Sequence, residues 1–308
     1  MVCYKNYIFY LYKKFILMKF LSPDKTLAPS LSIPKAVIYF AQILQFFSYK
    51  LTVLFATKLF TTPFTFTTPK REKVMEESSQ KKKHFVTSIQ KEVHVLSYGY
   101  SKKKVLLVHG WSGRSTQLFM IANTLLEKGY MVISFDGPSH GKSTGKKTNM
   151  VEFIETISSI NSAFGPFEAA VGHSFGSMGI LNASAKKEIF KCIVTVGSGD
   201  KVSDILTNFT HSLGLKPIIS KKMQAYFKKK WNVKVDDFSS SIVAKKVDIP
   251  TLIVHDVLDG DVAVSCAINI RQNLQNGSLY ITKGLGHTKI LHDKKVTNRI
   301  VDFITLNT

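Results

Sequence analysis

Gly172-His173-Ser174-Phe175-Gly176 decides the reading of this chain. The largely apolar run Phe167-Glu168-Ala169-Ala170-Val171 leads into it, and a small-residue segment from Gly176 to Ala183 follows. That order reads as a strand, a sharp turn and a helix. Glycine on either side of Ser174 lets the backbone turn without a Cβ clash. A serine in such a turn stands at the rim of a sheet and at the N-terminus of a helix, where developing negative charge is favoured.

Outward from this turn the pattern is regular. Val105–Val108 is a continuous apolar strand, as expected for a sheet covered on both faces. Arg114–Lys128 carries Leu118, Ile121, Ala122, Leu125 and Leu126 at helical spacing, with Gly129 as its cap. Phe85–Ile89, Glu92–Tyr98, Met131–Phe135, Ile193–Val196, Thr251–Val254 and Leu279–Ile281 read as further strands. Asn149–Ala163 and Thr288–Ile304 read as helices. Alternating strands and helices predict an α/β fold with a mostly parallel central sheet and helices on both faces. The interval from Gly199 to Pro250 is too long for one crossover. Its helix-like stretches Val202–Leu213 and Ser220–Trp231 predict a small helical lid insertion over about residues 200–249.

Composition narrows the class. The chain has 308 residues, and Lys+Arg 42 against Asp+Glu 21 gives a formal charge of +21. The excess is concentrated early: residues 1–104 hold 18 basic and 5 acidic residues. The basic residues are mostly scattered lysines and no nucleic-acid fold motif accompanies them, so nucleic acid is not an expected partner. Cys3, Cys192 and Cys266 have no metal-ligand spacing, and an odd, sparse set fits a reducing compartment. Neither a metal nor a cofactor is expected.

The N-terminal part reads differently. In residues 1–20 the apolar run is too broken for a signal-peptide core, and Met18 is an alternative start. Residues 36–60 are strongly apolar, with Gln42, Gln45, Tyr49 and Thr52 on one helical stripe. Lys50 would sit mid-membrane in a spanning helix, at about 3 kcal/mol. A helix packed on the body or lying in a membrane interface is therefore expected. Residues 61–83 are a connector with Pro63, Pro69 and charged runs. The predicted organisation is an N-terminal apolar helix and basic linker, 1–83, then a catalytic domain, 84–308. The expected place is the cytoplasm, with a peripheral contact to the inner membrane surface through residues 36–60.

Acyl transfer by a serine requires a base, an acid that orients it, and donors for the oxyanion. Of the nine histidines, His287 follows the last strand and precedes the last helix, at the sheet edge where sites of open α/β folds lie. His140 occupies a loop at the same edge. His173 lies inside the turn and points the wrong way for a base. For the acid, Asp256, Asp259 and Asp261 all follow one strand. Asp259, in the turn beyond the strand tip, is favoured because its side chain can reach a neighbouring histidine loop. The order Ser174, Asp259, His287 suits such a sheet. The amides of Trp111, in His109-Gly110-Trp111 after the first long strand, and of Phe175 would be the oxyanion donors. His109 itself is expected to hold that loop.

Together, Val108–Trp111, Phe135–Ser143, Gly172–Gly176, His255–Val262 and Gly286-His287 resemble the α/β-hydrolase superfamily, in its serine esterase, lipase and aminopeptidase-like branch. The resemblance covers about residues 84–308, and the N-terminal helix followed by Thr68-Pro69-Lys70-Arg71 looks like a bacterial subgroup of uncharacterised hydrolases. It implies the α/β-hydrolase fold and strengthens Asp259 as the acid. It also implies a serine hydrolase acting on a small-molecule ester, lipid included, with acyltransferase and non-catalytic scaffold as the rival readings. Ala263 stands where many relatives carry proline. A serine nucleophile argues against dehalogenase or epoxide hydrolase chemistry, which uses a carboxylate there.

Overall fold

A computed structural model of the chain describes residues 26–30 and 32–308. Cys3 and Met18 lie outside the described residues. The centre is an eight-stranded sheet in the order β1-β2-β4-β3-β5-β6-β7-β8. The strands are Gln80–Val86 (β1), Lys91–Tyr98 (β2), Lys104–Val108 (β3), Met131–Phe135 (β4), Ala169–His173 (β5), Cys192–Val196 (β6), Thr251–Asp256 (β7) and Gly277–Thr282 (β8). β2 pairs antiparallel with β1 and β4, and all other pairings are parallel.

The alternation of side chains along the strands divides the core into two layers. Leu106, Val108, Ile133, Phe135, Ala170, Ile193 and Ile253 face one way, against helices Met150–Phe164, Phe175–Lys186 and Val264–Asn273. Val105, Leu107, Val132, Val171, Val194, Leu252 and Val254 face the other, against helices Phe119–Glu127 and Lys294–Leu306. Each central strand is thus apolar on both sides, which is why β3, β5, β6 and β7 read as continuous apolar runs.

Several boundaries differ from those read in the sequence, each for a local reason. β1 begins at Gln80, so Lys81, Lys82 and Lys83 belong to it; an edge strand tolerates lysines on its open side. The stretch after Arg114 stays in a loop until Phe119 because Ser115 donates its amide to Asp136 Oδ1 at 2.7 Å. The C-terminal helix is interrupted at Asp293, whose carboxylate caps a new helix through the Val296 amide at 2.9 Å. Residues 36–60 form two helices, Lys35–Phe47 and Tyr49–Phe60, broken where Ser48 turns extended and caps the second.

The N-terminal pair does not stand apart. Ala41, Val53 and Ala56 share a small satellite core with Leu206, Leu213, Ile219, Met223 and Phe227 of the insertion, whose helices are Val202–Ser212 and Ile218–Trp231. The connector is also tied in: Thr148 donates its amide to Thr61 O at 2.9 Å.

Between β3 and β5 the strand order reverses, since β4 lies on the far side of β3. Brackets of backbone meet at this point. A Cβ on Gly176 would drive into the carbonyl oxygens of Val108 and His109, which are backbone and cannot move aside. A Cβ on Gly179, one turn along, would lie 3.0 Å from Ile157 Cδ1, the end of a side chain that can yield. Gly176→Ala is therefore expected to cost about 1–3 kcal/mol, whereas Gly179→Ala stays near neutral because alanine is the better helix former by about 1 kcal/mol. Denaturant melts of the two variants check this contrast; equal losses would refute it.

Candidate active site

Ser174 sits between β5 and the helix Phe175–Lys186 with φ 51° and ψ −114°. A non-glycine residue in that region is strained and persists only where its surroundings hold it there. Three contacts do so. Gly172 leaves no room for a side chain against the Ser177 amide, Gly176 packs on the end of β3, and the Ser174 amide donates to Val196 O at 2.8 Å. Gly110 closes over the turn: a Cβ there would lie 2.9 Å from His173 Nδ1 and 3.1 Å from Ser174 Cβ.

The structure brings His287 and Asp259 into direct contact. His287 Nδ1 donates to Asp259 Oδ2 at 2.7 Å, and both side chains are buried. Asp259 Oδ1 accepts from the amides of Asp261 at 2.8 Å and Val262 at 2.9 Å, so its orientation is fixed. Burial opposes a charge on either partner. In His287 the hydrogen bond and charge of Asp259 outweigh that burial, and its pKa is raised. In Asp259 the His287 hydrogen bond and charge, with help from His255 and the Val262 amide, outweigh burial, and its pKa is lowered. The two shifts agree on a charge-stabilised pair.

The other two carboxylates after β7 have different duties. Asp256 accepts from the amides of Leu258, Gly284 and Leu285 and from Thr282 Oγ1, and so ties the His287 loop to β7. Asp261 is exposed and accepts from the amide and hydroxyl of Ser30. Asp259, Asp261 and His287 place ligand atoms within 4.8 Å of one another, yet these carboxylates are already engaged by His287 and Ser30.

The residue before Ser174 ties the turn to this pair. His173 Nε2 donates to the carbonyl of His287 at 2.9 Å, and the two imidazole rings lie 4.8 Å apart. Gly197, with φ 60°, leaves the space His287 occupies: a Cβ there would stand 3.2 Å from His287 Cε1 and Nδ1. Among the described residues no hydrogen bond joins Ser174 Oγ to His287.

The loop after β3 is fastened by two neutral histidines. His109 Nδ1 donates to Gly110 O at 2.7 Å while Nε2 accepts from the Gly137 amide at 2.8 Å. His140 Nδ1 donates to Pro138 O while Nε2 accepts from the Ser112 amide, both at 3.0 Å. Burial pushes His109 down to about 4 and His140 to about 3, so both stay uncharged and keep these tautomers. The Trp111 ring lies edge-on to His140 and Phe175 at 5.3 Å each. No backbone carbonyl among the described residues takes the amide of Trp111 or Phe175.

Sequence reasoning did not single out several residues that shape the site. His255 Nε2 donates to Val262 O at 2.9 Å and lies 3.6 Å from Asp259 Oδ2; burial lowers its pKa, against the raising charge of Asp259. Gly197 carried no signal at all. Glu72, in the charged connector, is buried and forms a bidentate pair with Arg114 at 2.6 and 2.7 Å while accepting from Thr116 Oγ1 at 2.7 Å. The Phe64 amide donates to Ser112 Oγ at 2.9 Å. On the other side, the Leu27 amide donates to Leu258 O at 2.9 Å, and the Leu27 side chain lies against Gly286. The N-terminal segment therefore touches both the loop that follows β3 and the loops that carry Asp259 and His287.

Residues 103–247 match the model of a family described as the alpha/beta hydrolase fold. The chain has the α/β-hydrolase fold. An esterase from Exiguobacterium antarcticum superposes with a TM-score of 0.59 at 17% identity, covering 73% of this chain and 100% of that one. A bromoperoxidase from Bacillus anthracis superposes with 0.57 at 18%, covering 73% and 100%. A membrane phospholipase A described as a bacterial virulence factor superposes with 0.60 at 15%, covering 88% and 96%. No curated protein matches the sequence significantly. At these identities the likeness establishes the α/β-hydrolase fold and leaves the reaction to the site itself.

The Glu72 pair gives a direct test of how the connector supports the site. Glu72→Ala leaves the Arg114 guanidinium and the Thr116 hydroxyl without their partner. It is expected to destabilise the protein by about 3 kcal/mol, the cost of breaking a largely buried pair. A thermal melt unchanged from the parent protein would show that the pair does not matter.

Proposed function

We propose that this protein is a serine hydrolase that cleaves carboxylic esters, carboxylesterase or lipase-like, through an acyl-enzyme. The observation that carries the reading is the 2.7 Å His287–Asp259 hydrogen bond beside a serine held at φ 51°. A strained serine at the point where strand order reverses, next to a histidine fixed in one tautomer by a buried carboxylate, suits nucleophilic attack on a carbonyl.

In this reading His287 Nε2 takes the proton of Ser174 Oγ as the oxygen attacks the ester carbon. The Ser174–His287 hydrogen bond closes in the reacting complex, as catalytic hydrogen bonds commonly do. Asp259 holds Nδ1–H and stabilises the imidazolium that forms. The amides of Trp111 and Phe175 donate to the tetrahedral oxyanion. Collapse expels the alcohol, which receives its proton from His287. Water then attacks the acyl-enzyme with His287 again as base, and Ser174 leaves with its proton restored.

Labelling by a fluorophosphonate probe tests the nucleophile. The parent protein is expected to label, and Ser174→Ala is expected not to label and to lose kcat by roughly a millionfold. A folded parent protein that does not label would overturn the proposal.

The base works only when uncharged, and the Asp259 contact raises the His287 pKa above the ordinary 6.5. Activity is therefore present above that raised value and lost as pH falls through it. In Asp259→Asn both raising contributions of Asp259 disappear, which leaves burial opposed only by the charge of Asp261 and lowers the pKa. The acid limb of kcat/KM should move to lower pH while kcat drops by about ten-thousandfold. An acid limb that stays in place would remove Asp259 from its role.

A further inference from the structure

The helix Lys35–Phe47 leaves an apolar stripe on its outer side. Its polar residues face the protein: Gln45 Oε1 accepts the Lys216 amide at 2.7 Å, and Gln42 Nε2 donates to Leu213 O at 3.5 Å. Its opposite stripe, Ala36, Tyr39, Phe40, Ile43, Phe46 and Phe47, repeats at helical spacing and faces outward. Phe46 is 85% exposed and Phe47 76%. Leu51 and Leu54 of the second helix and Ile218 of the insertion are exposed as well. A helix of a soluble body normally buries its apolar stripe and shows its polar one. Here Gln42 and Gln45 turn inward beside Val37, Ile38 and Ala41 while an aromatic stripe stays outside, and an exposed apolar surface of this kind marks an interaction site.

Charge identifies the partner. Residues 32–71 contain no Asp or Glu, and neither do residues 205–235. The same two segments carry exposed Lys35, Lys50 and Lys58, and exposed Lys216, Lys221 and Lys222 with the run Lys228–Lys230. Lys50 stands three residues beyond Phe47, and the Lys216 backbone is held to the same helix through Gln45. Aromatic side chains rimmed by lysines, with no carboxylate among them, complement a layer of anionic head groups over acyl chains. The stripe is about 17 Å long at 1.5 Å per residue, against roughly 30 Å of hydrocarbon. Among the described residues no helix is long and apolar enough to cross a membrane. The geometry fits a helix lying along the interface.

We infer that the N-terminal helical pair docks this protein on an anionic lipid surface, with Phe46 and Phe47 inserted and Lys50 and Lys216 on the head groups. The satellite core couples the docked pair to helices Val202–Ser212 and Ile218–Trp231. That insertion leaves the sheet just after β6, where Gly197 adjoins His287. Docking therefore brings the C-terminal edge of the sheet towards lipid. The inference concerns binding and holds whichever reaction Ser174 performs.

Flotation of the full chain with vesicles tests it. The protein should float with phosphatidylglycerol–phosphatidylcholine vesicles and far less with pure phosphatidylcholine. Phe46→Ser with Phe47→Ser should weaken partition by about tenfold or more. Lys50→Glu with Lys216→Glu should abolish the preference for the anionic vesicles. All four side chains are exposed, and a thermal melt of each variant matching the parent protein reports that the fold is intact. A full chain that stays unbound would overturn the inference. So would a phenylalanine variant that floats as well as the parent protein, or vesicle-independent self-association that the phenylalanine variant abolishes, which would make a second copy the partner.

Discussion

Ser174 can hold its left-handed backbone only because the ends of three neighbouring strands leave no other path. Glycine at 172 and 176 lets the helix start against β3, and the Ser174 amide is taken by the carbonyl that ends β6. The strain of φ 51° is thus held by backbone packing on both sides. Everything that faces the serine is arranged around this fixed point: Gly110 above it, Gly197 beside His287, and the His173 imidazole clamped to the His287 carbonyl. A side chain at any of these glycines would displace the groups they adjoin.

The site is also supported from outside the sheet. The segment before β1 reaches the β3 loop through Glu72 and Phe64, and the acid and base loops through Leu27 and Ser30. Neutral His109 and His140 stiffen the same β3 loop from beneath, each using both ring nitrogens. Burial keeps these histidines uncharged while Asp259 holds His287 the other way. Histidines in one region thus differ in charge tendency because only one of them hydrogen-bonds a buried carboxylate. The N-terminal pair extends the arrangement to the insertion, so that residues remote in sequence form one satellite core.

Much of this was legible because it is local. The apolar runs of β3, β5, β6 and β7 follow from burial on both faces, and the glycines around Ser174 mark a turn that only they permit. The Asn149 cap and the helix it opens are likewise a matter of neighbouring residues, with Asn149 Oδ1 accepting the Glu152 amide at 3.1 Å. Less legible were features set by long-range contacts. Lys81–Lys83 read as linker and lie in an edge strand, because pairing with β2 supplies the order their composition does not. Glu72 read as one charge in a polar connector, and its burial depends on Arg114, far along the chain. The polar stripe of residues 36–60 was visible, but which way it faced was not.

By itself the sequence determined the period of each element, the turn at Ser174 and the short set of histidines and aspartates able to serve it, since these depend on side-chain type and spacing along the chain. Position in the turn favoured Asp259 as the partner of His287, and tertiary structure makes that contact. Asp256, Asp259 and Asp261 are equivalent in chemistry, and they are separated by where β7, β8 and the strap at Leu27–Ser30 place hydrogen-bond donors around them. Tertiary structure alone decided that Gln42 and Gln45 turn inward. The donors and acceptors that satisfy them come from residues 213–216, and no local pattern encodes a contact across so long a stretch of chain.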